Sequence, residues 1–303
     1  MTDRRYRRPL PLGGEDGLPF SKGVMARALM NAGITTDRAY EIATAAEQDI
    51  GASGRGAISF ERLEELAHGA LGEEDGRNAM RRLRRFQDLY ELDLPIILLV
   101  GGATGTGKST VATELAYRFG ITRVTSTDFV RQTMRAFFSR EFMPAIHFSS
   151  FEAGRAMADE DADPSEAVLD GFLEQTRDVL VGVAASIDRA LQEGWSMVLE
   201  GVHLVPGMLP PIENALVVQC VLAINDTEAH ASHFWIRDND SEGMRPYEKY
   251  LECFDDIRLV QEYILGRAQR HEVPVIQNAN IEETVVEVME LVLNAAEPLQ
   301  VPG

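Results

Sequence analysis

The stretch LPIILLVGGATGTGKSTVATELAYRFG, from Leu94 to Gly120, constrains this chain more than any other part of it. Gly102-Ala-Thr-Gly-Thr-Gly-Lys-Ser109 fits G-x-x-x-x-G-K-[ST] at every fixed position. Such a loop needs one context: a buried strand delivers it and a helix leaves it. Both are written into the flanks, as the apolar run Ile96 to Val100 and a helical pattern from Ser109 to Phe119 that stops at Gly120. Backbone N–H groups and the positive end of the helix then surround a phosphate. Gly102, Gly105 and Gly107 stand where a side chain would block the approach of backbone to ligand. The expected ligand is a nucleoside triphosphate with Mg2+, and the loop alone does not separate a kinase from an ATPase, a GTPase or a sensor. Lys108 would bridge the β- and γ-phosphates and act in catalysis, Ser109 would ligate the metal, and Thr104, Thr106 and Thr110 would line the nucleotide.

The chain divides near residue 90. Residues 1–90 read as a small, mostly helical domain, and residues 91–303 as an α/β domain with a parallel sheet flanked by helices, the fold class of a P-loop kinase. In the first part, Arg4 to Leu12 and Gly17 to Phe20 flank a turn-forming Gly-Gly-Glu-Asp-Gly, which predicts a short hairpin. Ser21 caps a helix that stops at Gly33, with Val24, Leu29 and Met30 on one face. A second helix runs from Thr36 to Ile50 on a stripe of Ala39, Ile42 and Ala46, followed by a loop from Gly51 to Gly56. A third helix spans Ser59 to Ala70, and a last one carries the basic run Met80 to Phe86, which reads as a solvated face or a strut.

In the second part, strands are predicted at Ile96–Val100, Val124–Thr127, Ser196–Glu200, Leu216–Ile224 and Val273–Gln277, each apolar enough for burial on both faces. A helix from Gln175 to Gln192 carries Val179, Val183, Ile187 and Leu191 at helical spacing, and Asn280 caps the final helix. The acidic stretch from Ala158 to Pro164 reads as an exposed loop facing away from any anion site.

A phosphate loop names a donor and leaves the acceptor open, so other segments must decide. Glu200 ends an apolar strand, the place of a Walker B carboxylate that holds Mg2+ through Ser109; a strand-end Glu capping a helix is the alternative. Asp128 ends another strand, at the sheet edge where open α/β folds bind ligands. It can take a hydroxyl proton or orient the acceptor, while Arg131 and Arg135, one turn apart, grip an anion through forked hydrogen bonds. His203 lies on a strand-end loop expected to face the same crevice. The polar segment from Arg237 to Lys249 reads as a lid, with Arg237 and Arg245 stabilising charge in the transition state. His230 and His233 have no third ligand near them, so they read as ordinary surface or core residues.

Charge narrows the partners. With 48 acidic against 29 basic residues, a formal −19, the chain repels a nucleic-acid backbone, and a small anion must be held by locally grouped arginines. No apolar run of membrane-spanning length and no apolar leader segment occur, which excludes the membrane and predicts a cytoplasmic protein. Cys220 and Cys253 are too few for a thiolate metal cage or a disulfide framework. A homo-oligomer is compatible with the sequence.

Four blocks, Val100 to Thr110, Ser126-Thr-Asp-Phe-Val-Arg-Gln-Thr-Met-Arg135, Ile146-His-Phe-Ser-Ser-Phe-Glu-Ala153 and Leu199-Glu-Gly-Val-His-Leu-Val-Pro-Gly207, together resemble the 2-phosphoglycerate kinase family. The likeness continues through Val273 to Asn280, where Asn278 is expected beside ATP. It covers most of residues 94 to 290, and the second and fourth blocks are more specific than the phosphate loop. Gly17-Leu-Pro-Phe-Ser-Lys-Gly23, Leu29 to Ile34 and Ala39 to Ala43 resemble an ATP-cone, a small nucleotide-binding regulatory module, with Arg7 and Arg8 as its basic residues. The resemblance implies phosphorylation of 2-phosphoglycerate by ATP to 2,3-bisphosphoglycerate. Arg131, Arg135, His147, Ser149 and Ser150 supply donors for a substrate bearing a carboxylate and a phosphate. They serve glycerate, lactate or a phosphorylated sugar acid equally well. A nucleotide-sensing regulator without an acceptor, or a zeta-toxin-like kinase, are the readings from other classes.

Overall fold

The computed structural model describes residues 20–54, 56–92, 94–156, 163–240 and 247–299. Two compact units form, Met1–Asp93 with Val292–Gly303, and Leu94–Leu291. The sequence reading kept residues from Val292 onward in the second domain, whereas they group with the first unit.

The first unit contains α1 (Lys22–Asn31), α2 (Thr36–Ser53), α3 (Phe60–Leu71) and α4 (Glu73–Glu91). Their apolar stripes meet in one core around Met25, Leu29, Ile42, Leu63, Met80 and Leu83. Two expectations are corrected here. Val24 is 39% exposed, and Met25 and Ala26 join Leu29 on the inward face of α1 instead. Helix α2 runs through Gly51 and stops at Gly54, whose φ of 64° is left-handed. Ser21 stands at the start of α1 without a side-chain cap, while Ser59 caps α3 by accepting from the Arg62 N–H. The expected hairpin, with Arg7 and Arg8, lies outside the described residues.

The second unit is an α/β layer structure. In chain order it runs β1 (Ile96–Gly101), α5 (Lys108–Phe119), β2 (Val124–Ser126), α6 (Thr127–Phe137), α7 (Pro164–Gln192), β3 (Met197–Glu200), β4 (Leu216–Ala223), α8 (Thr227–Asp240), α9 (Tyr247–Glu252), α10 (Phe254–Arg270), β5 (Val275–Gln277) and, as far as Leu291, α11 (Ile281–Ala296). The sheet order is β2-β3-β1-β4-β5, all parallel. β1 is buried along its whole length. On one flank Val100 pairs with Glu200 of β3, on the other with Cys220 of β4. The order reverses at β1, which opens a crevice at the carboxyl ends of the strands.

Val124 and Val275 are 43% and 37% exposed. They sit on β2 and β5, the two edges, so burial on both faces does not extend to them. Val179, Val183 and Ile187 of α7 pack with Ile97, Leu99 and Leu199 of the sheet. Each buried aliphatic side chain of this kind stabilises by about 2 kcal/mol. Helix α7 begins at Pro164 rather than Gln175, capped by Asp163, whose Oδ1 accepts from the Ser165 and Glu166 N–H groups at 2.8 and 3.4 Å. The end of the acidic stretch is therefore a helix cap; its residues 158–162 lie outside the described ones. Among the described residues no helix is long and apolar enough to cross a membrane.

Candidate active site

The phosphate loop leaves the carboxyl end of the central strand and enters α5 at Lys108. Gly107 has φ of 80°, and a Cβ there would collide with the Asn278 side chain, so only glycine lets the loop close on that residue. Asn278 donates to Thr106 O at 2.9 Å and is itself held through Oδ1 by Thr284 Oγ1 at 2.9 Å. It stands behind the loop and braces its backbone. Lys108 Nζ donates to Ala103 O at 2.6 Å, and Thr106 Oγ1 donates to the same carbonyl at 3.0 Å. Burial pushes the Lys108 amine below its ordinary value, and Glu200 and Asp128 pull it back up.

The carboxylate of Glu200 is buried at the end of β3, and the Ser109 hydroxyl donates to its Oε1 at 2.9 Å. Register explains the meeting, because β3 lies beside β1, so its last residue reaches the first turn of the helix that follows β1. Thr104 is half-buried and Thr110 is exposed on the first turn of α5.

On the far side of β3, Ser126 caps α6 by accepting from the Phe129 N–H at 3.0 Å, and Asp128 falls in the first helical turn. Its side chain is 60% exposed, whereas Arg131, one turn on, is 6% exposed. Arg131 Nε and Nη2 both donate to Asp128 Oδ1, at 2.9 and 2.7 Å, and Nη1 donates to Ile146 O and Phe148 O, at 2.8 and 2.7 Å. The guanidinium fork thus holds a carboxylate and two carbonyls of the segment 145–148. Arg135 remains exposed, bonded to Gln132. His147 bonds Phe138 O through Nε2 at 3.1 Å, Ser150 is buried, and Ser149 bonds the Glu152 carboxylate. Burial raises Glu152, but Lys249 at 2.7 Å, Ser149 and Arg155 draw it below its ordinary value.

His203 is a correction. It is fully buried and cannot face the crevice. Its Nδ1 lies 2.8 Å from Thr127 Oγ1 and its Nε2 lies 2.9 Å from Gln175 Oε1. Gln175 Nε2 donates to Ala145 O and Phe148 O, at 2.6 and 3.1 Å. Those two carbonyls fix the amide orientation, so His203 Nε2 is the donor and Nδ1 accepts from Thr127. Burial pushes the ring down to about 3, with Arg131 adding to the effect. His203 is a neutral brace behind the acceptor segment. Gly201, with φ of 149°, gives Thr127 the room to reach it, since a Cβ there would meet the threonine hydroxyl.

Three bracing residues escaped the sequence reading. Gln175 looked like the start of a helix. His230 Nε2 lies 2.8 Å from Thr104 O and His233 Nδ1 lies 3.0 Å from Gly105 O, so both histidines of α8 reach the phosphate loop. Their spacing of one helical turn was the available signal, and it pointed to a shared target rather than a metal. Arg237 belongs to α8, but its side chain, like Arg245, lies outside the described residues.

A loop fitting G-x-x-x-x-G-K-[ST] between a buried strand and a helix on a parallel sheet, with the strand-end Glu200 on its Ser109, is the setting of an ATP-dependent phosphotransferase. No protein-family model matches the chain. Three curated relatives, each named 2-phosphoglycerate kinase, do match. The Methanopyrus kandleri protein is 35% identical over 274 residues, covering 90% of this chain and 83% of its own. That of Thermococcus kodakarensis is 38% identical over 88% of this chain and 90% of its own, and that of Pyrococcus horikoshii 34% over 93% and 92%. The chain belongs to the 2-phosphoglycerate kinase family.

Proposed function

We propose that the protein transfers the γ-phosphoryl group of ATP to the hydroxyl of 2-phosphoglycerate, giving ADP and 2,3-bisphosphoglycerate. What supports this is 34–38% identity over about nine tenths of the chain to relatives named 2-phosphoglycerate kinase, together with two placed carboxylates, Glu200 on the Ser109 hydroxyl at 2.9 Å and Asp128 on the Arg131 fork at 2.7 Å. One carboxylate belongs to the donor side and the other to the acceptor side.

In the proposed step the acid's hydroxyl oxygen attacks the γ-phosphorus in line. The bond to the β–γ bridging oxygen breaks, ADP leaves with the electron pair, and the hydroxyl proton passes to Asp128. Both Arg131 bonds to Asp128 fall on Oδ1, which fixes the carboxylate and presents Oδ2 to the substrate. The exposed Arg135 is the cation for the acid's carboxylate or phosphate, joined by His147 and the Ser149–Ser150 turn. Arg131 acts on the same wall by holding its backbone.

The Ser109 hydroxyl and Glu200 carboxylate form an all-oxygen donor pair that fits Mg2+, with Glu200 reaching it directly or through water. Bound there, the ion would neutralise charge on the phosphates. Among the described residues no cluster of three or more His, Cys, Asp or Glu offers a metal cage.

The first unit is proposed to be a nucleotide-binding regulatory module, on the cone-like residues of its sequence. Equilibrium binding of ATP then finds two sites per chain, one of them lost in Lys108→Ala; a single site overturns this reading.

The acceptor is tested by following ADP release with Mg2+-ATP and a panel of 2-phosphoglycerate, glycerate, lactate and phosphorylated sugar acids. The expected result is a kcat/KM for 2-phosphoglycerate at least tenfold above the rest. A better glycerate or lactate substrate overturns the acceptor assignment, and ADP release independent of every acid overturns the transfer itself.

A further inference from the structure

Five successive carbonyls of the phosphate loop each meet a hydrogen-bond donor. Ala103 O accepts from Lys108 and Thr106, Thr104 O lies 2.8 Å from His230 Nε2, Gly105 O lies 3.0 Å from His233 Nδ1, Thr106 O accepts from Asn278, and Gly107 O accepts from the Val111 N–H at 3.2 Å. In a trans peptide the carbonyl of one residue points opposite to the N–H of the next. Holding the carbonyls of residues 103–107 therefore aims the N–H groups of residues 104–108 the other way. Those N–H groups are what a phosphate binds.

Two of these five carbonyls are held by one helix. His230 and His233 lie one turn apart on α8 and take adjacent carbonyls at the tip of the loop. A carbonyl only accepts, so the contacting nitrogen carries the proton in each ring, Nε2 in His230 and Nδ1 in His233. His230 is fully buried, and that burial pushes it down to about 4, which keeps the ring neutral.

This tautomer has a cost that identifies its purpose. With the proton on Nε2, Nδ1 of His230 is a bare acceptor, buried and without a hydrogen-bond partner among the described residues. The ring packs against Phe234 and Phe254, at centroid distances of 5.5 and 5.4 Å. A leucine would pack in that aromatic setting with no orphaned atom. What the imidazole supplies and a leucine lacks is the bond to Thr104 O.

We propose that His230 and His233 are positioning residues that clamp the phosphate loop in its nucleotide-binding shape from helix α8. The proposal rests on the reading of this loop as the ATP site.

The full-length protein is compared with His230→Leu, His230→Gln, His233→Leu and His233→Asn. Glutamine places an amide N–H where Nε2 stands, and asparagine places one where Nδ1 stands. The readouts are the Kd of a fluorescent ADP analogue, the KM values for ATP and for the acid, and far-UV circular dichroism. Loss of one hydrogen bond is expected to raise the nucleotide Kd and the ATP KM roughly five- to tenfold in each leucine variant. The acid KM stays within about twofold, since no bond on the acceptor wall is lost. The amide variants recover most of the loss. Equal weakening in the leucine and amide variants, or a rise confined to the acid KM, overturns the clamp. Should His230→Leu fail to fold, the half-buried His233 pair decides between the same outcomes. Unmutated protein that binds no nucleotide overturns the clamp together with the reading of the loop, whereas normal binding with unaffected leucine variants overturns the clamp alone.

Discussion

The phosphate loop and the segment 145–150, which opens with one 3-10 turn at Ala145–His147, both lie outside the strands and α-helices, yet they are held in opposite ways. In the proposed donor wall the backbone is the surface offered to the phosphates, and residues from elsewhere, Asn278, His230 and His233, hold its carbonyls from behind. In the acceptor wall, side chains that look like ligands are themselves the holders. Arg131 and Gln175 spend their donors on the carbonyls of Ala145, Ile146 and Phe148. An arginine in a substrate-binding pattern can thus be the frame of a site, while its neighbour Arg135, exposed and bonded only within its own helix to Gln132, is the cation proposed to meet the acid.

Variants that act on one wall only sharpen this comparison. The largest effect is expected from Lys108→Ala, which removes the one cation of the donor loop and should lower kcat/KM roughly a thousandfold or more. Asp128→Asn keeps the shape of the acceptor wall and removes its base, and should lower kcat roughly a hundred- to ten-thousandfold with the ATP KM little changed. A raised ATP KM with normal kcat would place Asp128 on the donor side instead.

Arg131→Lys keeps the charge and loses the fork that spans Asp128 and two carbonyls. It should cost about 2 kcal/mol of stability, a fall of roughly 5 °C in Tm, together with a higher acid KM. Unchanged acid kinetics in this variant would break the account of the acceptor wall.

A pH effect concerns both walls together, because each has a buried neutral histidine behind it. His203 is held down to about 3 and His230 to about 4, against an ordinary 6.5. The folded state keeps both rings neutral, while the unfolded chain takes up protons below about pH 6.5. Stability is therefore fully present above that pH and falls as the pH drops toward the folded values, by up to about 1.4 kcal/mol per pH unit for each ring. The urea midpoint should fall between pH 7.5 and 5.5, and His203→Gln should reduce the slope. A flat midpoint over that range would contradict it.

The sheet was legible because its strands are short apolar runs with little else to be, and the phosphate loop because its glycines and Lys108 have one joint explanation. Edge position was not legible: nothing in Val124 or Val275 says that a neighbour is missing. The bracing roles were hidden for a different reason. His203, Gln175 and Arg131 gain their partners from elements up to 76 residues away in sequence, and burial, which decides whether a polar side chain binds or braces, is set only by that packing. Glu200 and Ser109 were found because adjacent parallel strands force the carboxyl end of one against the loop of the other.

The most direct test of the two-wall account is 31P NMR of the protein turning over Mg2+-ATP with 2-phosphoglycerate. The account predicts that each γ-phosphate lost from ATP appears as a second phosphomonoester on the acid, with ADP in equal amount and little orthophosphate. ADP accompanied only by orthophosphate, whether or not the acid is present, would contradict it.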